Sequence, residues 1–113
     1  MKIADIARML KGTLVVYANA QKTASSAYIS DLLSDVMAHA KEGCVWMTIQ
    51  SHQNVVAVAA LTGIVAVVFT GGVRPDEHTV AKAQSEGINL IITDLSSYEA
   101  AGILYTAGLG ANP

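Results

Sequence analysis

The chain has one cysteine, Cys44, in 113 residues. A lone cysteine excludes an internal disulfide and a thiolate zinc cluster, and a reducing cytoplasm is its simplest compartment. Charge is equally scarce. Asp, Glu, Lys and Arg make up 14% of the residues, against about 25% in an average soluble domain. The formal net charge is −2, which argues against a nucleic-acid grip built on a broad basic field. No apolar run reaches the roughly 20 residues that a membrane-spanning helix requires. The most apolar stretch, 55–69, is cut by Thr62-Gly63. Met1-Lys2 leads into Ile3-Ala4-Asp5-Ile6, an amphipathic pattern rather than a secretory signal.

What is abundant is aliphatic surface. Hydrophobic residues make up 52% of the chain, so it is not disordered. The length suits one domain, residues 1–113, around a single core. A domain this small and this apolar is expected to cover part of its surface with a second copy, as a homodimer.

Periodicity supplies the elements. Ile3, Ile6, Ala7 and Leu10 share one face of a short helix that Gly12 closes. Residues 13–17 read as a strand, 19–26 as a loop and 28–29 as a brief strand. Ser30 is placed to cap a helix whose apolar face is Leu32, Leu33, Val36, Met37 and Ala40. Strand–helix pairs then follow three times: 44–49 with 54–61, 64–69 with 75–86, and 88–93 with 96–107. Pro75 is expected in the first turn of its helix, and Ser96-Ser97-Tyr98-Glu99 fits a capping box. The strands are apolar on both faces, which predicts an α/β fold: three α/β/α layers around a mainly parallel sheet. Residues 109–113 are expected to fray.

In such a sheet ligands gather beyond the carboxyl ends of the strands. Three loops are expected there: Gln50-Ser51-His52-Gln53-Asn54, Thr70-Gly71-Gly72-Val73-Arg74 and Thr93-Asp94-Leu95-Ser96. Each leads into a helix N-terminus, where free N–H groups and a partial positive charge suit an anion. The candidate ligand residues are Ser51, His52, Asn54, Thr70, Gly71, Gly72, Arg74, Thr93, Asp94 and Ser96. The expected occupant is a nucleotide or another small anion, one that presents a phosphate or a carboxylate. Capping alone would equally explain Ser51, Asn54 and Ser96, and a tight turn alone would explain Gly71-Gly72. His39, His52 and His78 show no metal-ligand spacing. No nucleophile elbow, P-loop or dinucleotide fingerprint is present. An enzyme working through His52 or Asp94 therefore lacks its other parts. Trp46 and Cys44 read as core.

With those loops in place, residues 28–107 resemble the DRTGG domain family. The resemblance is carried by 28–37 (Tyr-Ile-Ser-Asp-Leu-Leu-Ser-Asp-Val-Met), by 45–50 (Val-Trp-Met-Thr-Ile-Gln), by 55–61 (Val-Val-Ala-Val-Ala-Ala-Leu) and by Val68-Phe69-Thr70-Gly71-Gly72. Ile91-Ile92-Thr93-Asp94 and 96–101 complete it. It implies a small α/β domain similar in fold to the N-terminal domain of HPr kinase. It also implies a regulatory or dimerising module of the kind found beside CBS domains, without catalysis of its own. Stand-alone clostridial relatives are encoded near iron-hydrogenase genes. The alternative implied is thus an interaction subunit of a hydrogenase or redox system with no small-molecule ligand. Where many members carry Asp-Arg before the middle helix, this chain has His52-Gln53. Of the candidate residues, Thr70, Gly71 and Gly72 carry over from the family motif.

Overall fold

Alternation along the strands sorts the side chains into two cores. A computed structural model describes residues 1–19 and 21–111. Its elements are α1 (Ile3–Met9), β1 (Thr13–Val16), β2 (Ser26–Ile29), α2 (Leu33–His39), β3 (Cys44–Thr48), α3 (Asn54–Thr62), β4 (Ala66–Phe69), α4 (Glu77–Glu86), β5 (Asn89–Ile92) and α5 (Ser97–Thr106). The sheet order is β1-β5-β4-β3-β2. β2, β3, β4 and β5 run parallel, and β1 joins β5 antiparallel. Val45, Met47, Val68 and Ile91 point to one face, where Ile3, Ile6, Leu10, Ala100 and Leu104 cover them from α1 and α5. Trp46, Val67, Phe69 and Leu90 point to the other, under Val36 of α2, Val55, Val56 and Ala59 of α3, and Ala83 of α4. Both faces of the central strands are therefore buried, as parallel strands require. The architecture is the three-layer α/β/α arrangement that the periodicity predicts.

The antiparallel edge strand has a local cause. Lys11 adopts a positive φ of 53°, and the chain turns back at Gly12. A β-carbon at Gly12 would lie 2.5 Å from the Ile92 carbonyl oxygen, so only glycine lets β1 approach β5 there. At the opposite end of the sheet, buried Asn89 donates to the carbonyls of Val65 and Asn19 and accepts from the Asn19 amide. This ties the segment after β1 to the start of β5.

Several boundaries differ from the sequence reading; β2, for one, opens at Ser26, inside the expected 19–26 loop. Pro75 lies outside α4, because Asp76 takes the N-cap and accepts from the Thr79 amide at 2.8 Å. Ser30 sits two residues too early to cap α2. The N-cap position is Leu32, whose amide donates to the Ser30 hydroxyl at 3.2 Å. The tail is anchored through residue 110: Leu109 is buried in the α1–α5 core, and the Gly110 carbonyl accepts from the Ala27 amide at 2.9 Å. The apolar side chain of Leu109 and the unpaired edge of β2 hold what the composition alone left free. Asn112 and Pro113 lie outside the described residues.

Candidate functional site

All three loops follow the carboxyl ends of parallel strands, and two of them, 70–74 and 93–96, are stitched to each other. Thr70 to Val73 form a tight turn closed by the Val73 amide donating to the Thr70 carbonyl at 3.2 Å. Gly71 and Gly72 both have positive φ, 67° and 78°. That pair of left-handed residues is the type I′ turn, which side chains resist and glycine accepts. The Gly71 amide donates to the Leu95 carbonyl at 2.7 Å, and the Gly72 amide to the Thr93 carbonyl at 3.1 Å. The hydroxyls of Thr70 and Ser97 share a hydrogen bond of 2.6 Å. The Thr93 hydroxyl donates to the Leu10 carbonyl at 2.7 Å and accepts from the Leu95 amide. Loop 50–54 is held from α4, whose Thr79 hydroxyl donates to the Ser51 carbonyl at 3.0 Å.

The candidate residues therefore divide into two sets. Thr70, Gly71, Gly72, Thr93 and Ser96 build the rim. The amides of Gly71, Gly72 and Val73 are not bare, as an anion cradle would need. Carbonyls of the chain already occupy them. Ser96 is the N-cap of α5, with its hydroxyl accepting from the Glu99 amide and the Glu99 carboxylate accepting from the Ser96 amide. That capping box is the one the sequence predicts. Ser51 and Asn54 do not cap α3. Its N-cap position is Gln53, and the Asn54 amide is the first in the helix and donates to Nδ1 of His52 at 3.2 Å. His52, Asn54, Arg74 and Asp94 are exposed. Arg74 reaches Asp94 at 3.8 Å, a loose pair with side chains 60% and 88% exposed. Arg74 is the one cation in the three loops.

Sequence reasoning missed several parts of this rim. Asp31 accepts from the Thr48 hydroxyl and the Ile49 amide, both at 2.9 Å, and so fixes where β3 ends. Ile49 is half exposed and stands 4.0 Å from where a Gly71 β-carbon would lie, an apolar shoulder beside the turn. Asp76 is held below the usual carboxylate range, chiefly by the Thr79 amide. An Asp immediately after Pro75 was the available signal for that cap. Trp46 is core, as read, and its indole donates to the Ser30 carbonyl at 2.8 Å. Cys44 is buried, and burial pushes its thiol up to about 11. Among the described residues no three His, Cys, Asp or Glu side chains are grouped to hold a metal ion. No helix among them is long and apolar enough to cross a membrane.

A second surface was not anticipated. α5 and Met9 line an open groove of about 920 Å³. Tyr98 and Tyr105 flank it, 89% and 73% exposed. Between them, no packing neighbour among the described residues comes within 4 Å of the missing β-carbon of Gly102.

The DRTGG domain family model matches residues 5–107. The chain belongs to the DRTGG domain family. No curated protein matches it. Among solved structures it is similar to the crystal structure of the CBS and DRTGG domains of the regulatory region of Clostridium perfringens pyrophosphatase, complexed with its activator diadenosine tetraphosphate. The TM-score is 0.78 at 15% identity, over 91% of this chain and 45% of that one. This DRTGG chain thus spans less than half of its structural neighbour, and the likeness is one of fold.

Proposed function

We propose that this DRTGG domain is a non-catalytic regulatory module that binds a nucleotide or another phosphate-bearing small molecule at the carboxyl rim of its sheet. Arg74 carries the reading. It is the rim's one cation, it is exposed, and its partner Asp94 holds it only at 3.8 Å. An incoming phosphate would meet its planar fork. Ile49 beside Gly71 offers an apolar surface to the rest of such a ligand. The regulatory part is supported by the neighbour, whose regulatory region is complexed with a nucleotide activator. The non-catalytic part is supported by the hydroxyls. Those of Thr70 and Thr93 are engaged within the fold, and His52 accepts from its own chain. A thermal-shift panel of nucleotides and phosphate esters tests it. At least one should raise the melting temperature of the wild type, as a ligand that binds only the native state must. Arg74→Gln should abolish that rise.

We further propose that the module is a homodimer joined through α5. The groove carries both knob and hole on one helix, Tyr98 and Tyr105 around Gly102. Antiparallel copies crossing at Gly102 would place each tyrosine near its counterpart's opposite end. The only charge on α5 is Glu99, three residues from Gly102, so a face that meets itself at Gly102 brings a single like charge from each copy. Light scattering at increasing concentration should show a dimer that Tyr105→Glu dissociates. A monomer at all concentrations would remove the dimer and leave the groove to a partner protein, such as the redox-system partner that the family resemblance raises.

A further inference from the structure

The placement of Asp94 is at odds with a site for bare phosphate. Its carboxylate lies 3.4 Å from where a Gly72 β-carbon would stand and 3.8 Å from the Arg74 guanidinium. It therefore occupies the position beside Arg74 that a small anion would take. The turn offers no compensating donors, because the Gly71, Gly72 and Val73 amides are all bonded to carbonyls. A lone phosphate at Arg74 would face a full negative charge with nothing between them. A ligand that presents hydroxyl donors beside its phosphate faces the opposite situation. The carboxylate accepts from the hydroxyls while the guanidinium takes the phosphate. A ribose phosphate has that arrangement, with its phosphate and vicinal hydroxyls on one sugar.

From this juxtaposition, and resting on the rim-binding reading above, we propose that Asp94 is a specificity-determining residue. It selects a ribose phosphate with free hydroxyls over bare phosphate or a deoxygenated analogue. Asp94 is 88% exposed, so the chain should tolerate its replacement without loss of fold.

The experiment is calorimetric titration of the wild type, Asp94→Ala and Arg74→Gln with AMP, 2′,3′-dideoxy-AMP and inorganic phosphate. In the wild type AMP should bind more tightly than both other probes. In Asp94→Ala phosphate should gain about two- to fivefold, as expected when an exposed competing charge is removed. AMP should weaken toward the dideoxy analogue, so that the preference for AMP over phosphate falls about tenfold. Unchanged preferences in Asp94→Ala, with AMP binding still lost in Arg74→Gln, would overturn the role of Asp94 and leave the rim site standing. Binding of AMP that survives Arg74→Gln, or no binding of any probe to any of the three proteins, would overturn the rim site itself and this inference with it.

Discussion

The amide of Gly71 donates to the carbonyl of Leu95 at 2.7 Å. That bond joins the turn after β4 to the loop after β5. It makes the Thr-Gly-Gly motif a clasp between two loops before it is anything else. Both glycines are left-handed, and open space surrounds them apart from Ile49 and Asp94. Conformation, rather than crowding, demands glycine. Gly71→Val should destabilise the fold by about 1–3 kcal/mol, and Gly71→Asn by clearly less, because Asn tolerates the left-handed region. Urea denaturation of the two variants checks the order. Equal stability of wild type and Gly71→Val would contradict a structural role.

Helix capping gives a second expectation. Ser96→Ala removes a hydroxyl that accepts from the Glu99 amide, and Asp76→Ala removes a carboxylate that accepts from the Thr79 amide. Each should cost about 0.5–2 kcal/mol in chemical denaturation. Ser51→Ala should cost little, because its backbone carbonyl, not its side chain, accepts from Thr79.

Much of this was legible in the chain. The alternation of Val45, Trp46 and Met47, and of Val67, Val68 and Phe69, announces strands covered on both faces, and the faces they choose are the two cores. Glu99 three residues after Ser96 announces the cap on α5. The partners of the rim amides were not legible. Those bonds join residues more than 20 positions apart, Gly71 to Leu95 and Gly72 to Thr93, and local pattern carries no record of them. Nor does periodicity give the direction of β1. The close approach of Gly12 to Ile92 that permits it exists only once the sheet is assembled. The α5 groove escaped for a related reason. The 96–107 pattern shows a helix but not which side turns inward, and the inward positions belong to Ala100 and Leu104, leaving Tyr98 and Tyr105 outside.

Acid and alkali should both weaken one small network. The Tyr28 hydroxyl donates to Asp35 at 2.8 Å, and Nδ1 of His39 lies 3.0 Å from the other carboxylate oxygen. The bond from Tyr28, then those from Ser30 and His39, hold Asp35 below the usual carboxylate range. The contribution of Asp35 is therefore present above its unfolded value, near 4, and is lost as pH falls through its depressed folded value. Tyr28 moves the other way. Its bond to Asp35 raises it above 10, so its contribution is complete below 10 and disappears as pH rises through the folded value. Tyr28→Phe should flatten both limbs of a stability–pH curve measured by denaturant titration.

Cys44 should be inert in the native state. It is buried, and burial raises its thiol to about 11, so almost no thiolate exists near neutrality. Ellman's reagent at pH 8 should react only as fast as the chain opens, and at once in denaturant.

Leu104 is 1% exposed and packs where α5 meets the sheet. Leu104→Ala should cost about 2–5 kcal/mol. Tyr105→Glu, one residue on but outward, should leave the protomer's stability nearly unchanged while altering its association. Denaturation below the dimer's dissociation concentration separates the two effects.

Amide chemical-shift mapping by NMR, with AMP added to the full chain, tests the central claim most directly. The perturbed amides should concentrate in residues 50–54, 70–74 and 93–96, around Arg74, with α5 unaffected. Perturbations confined to the α5 groove, or absent at saturating nucleotide, would contradict it.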